Sequence, residues 1–359
     1  MSKAAASALP DRVLVDAKRL AQTVARIFVA LGIAPADADV VADDLVRADL
    51  EGVSSHGVML MPMYVERILK GSVSKRSQGD VVSDIRTAIV VDADNALGQL
   101  TAHQAVKLAT ARAKNAGMAI VAVRNAFHFG TAGRYARLIA EQNCIGIVMS
   151  NTRPLMPAPG GAEAITGNNP IAIALPSAGD FPVEVDMAMS ATAMGKIRLA
   201  AAAGQSIPPD WAMAADGQPT TDPAEAIKGM LAPAAGPKGF GLAFIIDLLC
   251  GGLSGGAIGS DVRPLYGDAA EPYRCSQTFI AIDLGVFPDG AAFPQRVHEQ
   301  AQRVSASKRA PGVVRVYAPG ELVHDTRESN AGRCTLSRQT LNALIESGQR
   351  AGIDIDHAI

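Results

Sequence analysis

The feature that most constrains this chain is a change of apolar period near residue 85. Before it, apolar residues recur at helical spacing. Residues 15–33 set Leu20, Val24, Ile27, Phe28 and Leu31 on one face, and Gly32 is a stop signal. A second helix follows, with Pro35 in its first turn and Val40, Val41, Leu45 and Leu50 on its apolar side. A break at Ser54-Ser55-His56-Gly57 leads to a third helix from Met63 to Lys70. After residue 85, short apolar runs predict strands at 87–91, 118–123, 145–150, 170–175, 183–185 and 279–282. Helices are predicted at 99–116, 132–142, 190–203, 240–253, 294–307 and 337–349, and Asp222-Pro223-Ala224-Glu225 reads as a helix cap. Several strand-to-strand gaps hold no helix. A mixed α/β fold is therefore predicted, without the helix after every strand that a purely parallel doubly wound sheet needs.

Composition then excludes partners. The 33 Lys and Arg nearly balance 35 Asp and Glu, for a net charge of -2, and aromatic residues make up 4%. Neither a phosphate backbone nor an anionic membrane surface is favoured, and few rings are present for base stacking. The apolar window 240–258 is interrupted by Asp247 and many glycines and serines, a poor membrane span. Cys144, Cys250, Cys275 and Cys334 are too far apart for a zinc ribbon and too few for a disulfide scaffold. Together with an N-terminus lacking the apolar stretch of a secretory signal, they predict a cytoplasmic protein. The six histidines include no i, i+4 pair, and no metal is expected.

Three constellations could carry chemistry. Ser55-His56 on a glycine-containing loop could move a proton to or from a substrate oxygen, or could merely cap a helix. His128-Phe129-Gly130-Thr131-Ala132 joins a strand to a helix whose free N–H groups could receive an anion, or is only a tight turn. Gly236-Pro237-Lys238-Gly239 precedes an apolar helix and could hold phosphate, or could permit close packing. Asp186 closes a strand where it could bind ribose hydroxyls or cap the next segment. Gly252-Leu253-Ser254-Gly255-Gly256 satisfies the nucleophile-elbow pattern, with Asp283 and His324 following in chain order. Ser254, however, follows a helix rather than a strand, which argues against a serine hydrolase.

Taken together, RADLEGVSSHGVMLMPMYVERILKGSV, NAFHFGTAGRYA, TGNNPIAIALP, VDMAMSATAMGKI, GQPTTDP, GPKGFGLAFIIDLLCGGLSG and the late APGE resemble one family over nearly the whole chain. It is the malate/L-lactate dehydrogenase family of the non-Rossmann type, which includes sulfolactate, ureidoglycolate and 2,3-diketogulonate oxidoreductases and pyrroline-2-carboxylate reductases. In motif the chain is nearest to the bacterial broad-range hydroxycarboxylate dehydrogenases. The resemblance implies a largely antiparallel cofactor-binding sheet at 121–289 with flanking helices. A discontinuous helical substrate and dimerisation domain would come from 1–120 with 290–359.

It further implies hydride transfer between NAD or NADP and a small 2-oxoacid or 2-hydroxyacid in a homodimer, with His56 as general acid/base and Ser55 beside it. The same resemblance assigns His128, Phe129, Gly130, Thr131, Ala132, Asp186, Met187, Ala188, Lys238, Gly239, Pro319, Gly320 and Glu321 to the dinucleotide. Thr166, Gly167 and Asn168 would line the substrate pocket. Two departures stand out. Many members carry an arginine four residues after the histidine, where this chain has Leu60, so either another cation, such as Arg47, Arg153 or Lys196, takes the carboxylate or the substrate is bulkier and less polar. Lys196 stands where imine-reducing members can carry an aspartate, which makes a cyclic-imine reductase the secondary reading.

Overall fold

The computed structural model describes residues 12–355. Its centre is a sheet of seven strands in the order Asp80–Ile85, Ala88–Asp92, Met118–Ala126, Cys275–Asp283, Cys144–Ser150, Ile171–Leu175 and Val183–Met187. Within it only Ala88–Asp92 and Met118–Ala126 run parallel, and the 19-residue helix between them makes the crossover that a parallel pair demands. The other neighbours are antiparallel. The expectation of a mostly antiparallel α/β sheet with flanking helices is therefore met.

The helices follow the apolar pattern. Helix α1 (Ala17–Ala30) buries Leu20, Val24, Ile27 and Phe28 completely, and the Asp16 side chain accepts the Arg19 N–H at its start. Helices α2 (Pro35–Leu50) and α3 (Met61–Lys70) follow, the latter stopped by Gly71 in the left-handed region. Helix α4 (Gly98–Ala116) packs on Met118–Ala126, and α5 (Ala132–Ala140) packs on Cys144–Ser150. Beyond the sheet lie α6 (Met194–Ala202), α7 (Pro223–Lys228), α8 (Pro237–Asp247), α9 (Phe293–Ser305), α10 (Glu321–Asn330) and α11 (Arg338–Arg350). As the capping pattern predicts, Asp222 accepts the Ala224 N–H ahead of α7.

Several elements differ from the sequence expectation. The 190–203 helix begins only at Met194, because Ala191 N–H bonds Ala232 and the Ser190 hydroxyl bonds Thr192 O. The 240–253 helix starts earlier, at Pro237, and passes at Asp247 into a π turn, Leu248–Gly252. Asp80–Ile85 is an extra edge strand, mostly exposed on both faces and so without an alternating signature. That strand and Ala88–Asp92 precede residue 120 yet belong to the central sheet.

The two chain ends meet: Arg12–Asp16 pairs antiparallel with Arg333–Ser337, and α11 packs against α3. The main core lies between these helices and the sheet, with a second, smaller core around Met149, Met156, Met189, Ile197, Ala243 and Ile246.

Arg67 locks α3 to the 264–271 loop. It is fully buried, and its guanidinium donates to the carbonyls of Pro264, Leu265 and Glu271 and to the Ser72 hydroxyl. An arginine serves here because its planar fork matches several carbonyls at once. Arg67→Ala strands those carbonyls, and urea unfolding is expected to show a loss of about 3–5 kcal/mol.

Candidate active site

His56 ends a single 3-10 turn, Ser54–His56, between α2 and α3, and it is half-buried. The turn rests on α2 through Asp49, whose carboxylate accepts the Val58 N–H at 2.8 Å. Gly57 is required there: a Cβ would lie 2.3 Å from that carboxylate. The Ser55 hydroxyl lies 3.0 Å from His56 Nδ1, which leaves Nε2 as the ring nitrogen with no protein partner. Burial holds the His56 imidazole below its ordinary pKa, so it is neutral at pH 7.

The 126–132 turn reaches the same place from the sheet. The rings of His56 and His128 stack with centroids 5.6 Å apart. Tyr64 Oη lies 2.9 Å from His128 Nδ1 and accepts from Gln99 Nε2 at 2.7 Å. Its own proton thus goes to His128 Nδ1, the nearer acceptor, since the alternative, the His128 carbonyl, is 3.3 Å away. His128 is then the neutral tautomer carrying its proton on Nε2. Burial, aided by the His56 charge, pushes its pKa down to about 3, so His128 stays uncharged at working pH.

From this turn the chain leads to a second cluster. The Asp186 carboxylate accepts the Gly133 N–H at 2.8 Å in the first turn of α5. It therefore takes part of the helix end where the sequence suggested a bound anion, although it remains accessible. Gly130, with φ +87, faces open space. Backbone bonds bring the other segments together: Met189 N–H to Asn168 O, Ala234 N–H to Met189 O, and Glu184 N–H to Pro319 O. Met189 is thus tied to Asn168 and to the segment just ahead of α8, while Pro319 and Gly320 lie against Glu184, two residues before Asp186. Lys238 is exposed in the first turn of the 11-residue α8, without an ion pair.

Not every residue expected here has a free side chain. The Phe129 ring stacks on Tyr135 within the core. Glu321 is occupied by Ser305, Arg315 and the Ala318 N–H. Thr166 is buried and accepts from Asn169, while Gly167 and Gly239 are packing positions where a Cβ would meet Thr152 or the Ala234 carbonyl. Thr131 precedes α5 without a side-chain cap, and Ala132 is buried.

Ser254 donates to the Cys250 and Gly251 carbonyls, Asp283 pairs with Lys114, and His324 lies against Phe181. No hydrolase triad forms. Tyr64, Gln99 and Asp49 were missed from sequence; the available signal was a polar residue on an otherwise apolar helix face. Among the described residues no group of His, Cys, Asp and Glu is arranged to hold a metal.

A dinucleotide fits this second cluster. An accessible carboxylate suits ribose hydroxyls, and an unpaired lysine at a helix N-terminus suits phosphates.

Comparison with known proteins identifies the family of the chain. The malate/L-lactate dehydrogenase family profile matches residues 15–345. L-sulfolactate dehydrogenase of Methanocaldococcus jannaschii is 36% identical over 330 residues, 91% of this chain and 94% of that one. Its crystal structure superposes with a TM-score of 0.89 at 33% identity, covering 95% and 98% of the two chains. Ureidoglycolate dehydrogenase (NAD(+)) of Escherichia coli O157:H7 is 34% identical over 86% of this chain and 87% of its own. The Δ1-piperideine-2-carboxylate reductase of Pseudomonas syringae has a TM-score of 0.82 at 30% identity, covering 93% and 99%.

Asp49 yields a test of the loop under His56. Burial raises its pKa to about 6, so folding favours the protonated acid. Its stabilising contribution is complete below the unfolded value of 3.8 and is lost as pH rises through about 6. Wild type is expected to lose about 3 kcal/mol relative to Asp49→Asn between about pH 4 and about pH 7, read by urea unfolding at each pH.

Proposed function

Since this chain belongs to the malate/L-lactate dehydrogenase family, we propose that it is an NAD(P)-dependent oxidoreductase interconverting 2-oxoacids and 2-hydroxyacids, with His56 as the general acid/base. The observation that carries this reading is the stacked His56–His128 pair. One imidazole is held neutral as a fixed donor, and the other keeps a free ring nitrogen within reach of a substrate oxygen.

Asp186, Lys238, the accessible backbone at Gly130 and Pro319–Gly320, and the Met187–Ala188 edge would hold the dinucleotide. Bound there, the nicotinamide supplies or accepts the hydride. The protein does the rest. In reduction, protonated His56 gives its proton to the carbonyl oxygen, and His128 Nε2–H offers a neutral hydrogen bond to the same region. In oxidation, neutral His56 takes the hydroxyl proton, and Ser55 keeps the ring oriented through Nδ1. Asn168, held by Thr152, offers a polar group for the substrate.

The structural likeness to a piperideine-2-carboxylate reductase supplies a second reading, a cyclic-imine reductase, which Lys196 disfavours. A panel of 2-oxoacids and cyclic imines with both cofactors separates the two. We also infer a homodimer. Helix α8 is apolar on both sides: Ala243 and Ile246 face the core, while Leu242, Phe244 and Ile245 are exposed, as is Leu248 in the π turn that follows. A helix of that kind calls for a second cover. Four free and buried thiols suit a reducing compartment, and the cytoplasm is the proposed location.

His56→Ala is expected to lower kcat about 10²- to 10⁴-fold while NAD(P)H affinity, read by fluorescence titration, stays unchanged. In wild type, kcat/KM for reduction should fall as pH rises through a pKa below 6.5, and kcat/KM for oxidation should rise through the same pKa. Profiles that do not mirror each other would remove His56 as the shared acid/base. Ile245→Lys is expected to shift the sedimentation velocity peak from dimer to monomer, since Ile245 is 49% exposed on the isolated chain.

A further inference from the structure

A cavity of about 400 Å³ is lined by Met59, three residues on from His56 in the chain, with Leu60, Pro62 and Met63, and by Leu265 and Tyr266 of the 264–271 loop. Its walls are mostly apolar. Three charged residues line it, and they are not equivalent. Arg67 has its guanidinium engaged by backbone carbonyls and the Ser72 hydroxyl, so it is a wall rather than a receptor. Glu66 forms no ion pair and presents a negative charge. Arg198 comes from α6 and makes no hydrogen bond or ion pair among the described residues. It is therefore the one guanidinium in this cavity free to meet an anion.

The residues considered from sequence are less suitable. Arg47 pairs with Glu51 and lies among Arg134 and Arg137, and Arg153 donates to its neighbour's carbonyl at Pro154. Neither Arg47, Arg153 nor Lys196 lines the cavity.

Resting on the oxidoreductase reading above, we propose that Arg198 binds the carboxylate of the substrate, and that the substrate is a monocarboxylic 2-oxoacid with an extended apolar side chain lying against Met59, Leu60 and Met63. A free guanidinium matches a carboxylate through two parallel hydrogen bonds, and the apolar wall supports a hydrocarbon tail. Glu66 repels a second carboxylate, which selects against dicarboxylic 2-oxoacids. Leu60 thereby serves as part of the tail-binding wall.

The test compares wild type, Arg198→Ala, Arg198→Lys and Glu66→Gln on 2-oxo-4-methylpentanoate, its methyl ester and oxaloacetate. Arg198 is exposed on its helix, so its replacement leaves the fold intact. Arg198→Ala is expected to lower kcat/KM for the acid about 10- to 100-fold, mainly through KM, with little change for the ester or for NAD(P)H affinity. Arg198→Lys should fall between the two. Wild type should prefer the branched acid to oxaloacetate, and Glu66→Gln should narrow that preference. Equal losses on acid and ester, or no loss, overturn the assignment of Arg198; a wild-type preference for oxaloacetate overturns the assigned substrate class. Calorimetric titration with oxamate, a non-reducible carboxylate, reads the same contact without turnover. Failure of the oxidoreductase reading would abolish turnover of every 2-oxoacid by wild type, and would overturn this proposal with it. Failure of the present inference alone would leave turnover intact with equal oxamate affinity in wild type and Arg198→Ala.

Discussion

The site depends on one buried hydroxyl. Tyr64 Oη accepts from Gln99 on α4 and meets both the ring and the carbonyl of His128, so it joins α3, α4 and the turn leaving the sheet. Removed from water, such a hydroxyl costs several kcal/mol unless it is satisfied, and here only this arrangement of three elements satisfies it. The stacking of His128 on His56 is a consequence, because Tyr64 sits near the start of α3, the helix that follows the His56 turn. Phe28 and Phe127 meet the Tyr64 ring edge-on and keep water from the group. The stacked His56–His128 pair is thus positioned by packing beneath it rather than by the loop that carries His56.

Charge is spent in the same economical way. With a net charge of only -2, the chain gathers its buried charges into closed groups. Arg137 on α5 holds Glu51 beyond α2 and Glu184 on the sheet edge, at 2.7 and 2.6 Å. Asp44 on α2 receives Arg134, His103 and Tyr135, which ties α2 to α4 and α5. Burial still pushes Glu184 up to about 7 despite its arginine, the usual outcome when desolvation rivals attraction. These groups orient the helices against the sheet. Lys238 and Arg198, by contrast, have no ion pair among the described residues.

Much of this was legible in the chain. The amphipathic spacing of α1, α4 and α11 and the apolar runs at 118–123 and 145–150 identify their elements directly, because each buries one face against the same core. The strand Asp80–Ile85 was not legible: exposed on both faces, it has no alternation to detect. The direction of single side chains was also hidden. Phe129, Thr166 and Glu321 sit inside motifs that resemble a binding site, yet each turns inward to a partner distant in sequence or across a turn.

By itself, then, the sequence determined the classes of element and the family to which the chain belongs, since period, caps and motif order are local properties. Tertiary structure alone decided that Arg12–Asp16 pairs with Arg333–Ser337, that Tyr64 sets His128 against His56, and that Arg198 and Leu60 line one cavity. Each of these joins residues far apart in the chain. Their proximity is set by how the core and its buried polar groups are satisfied together, which no local pattern records.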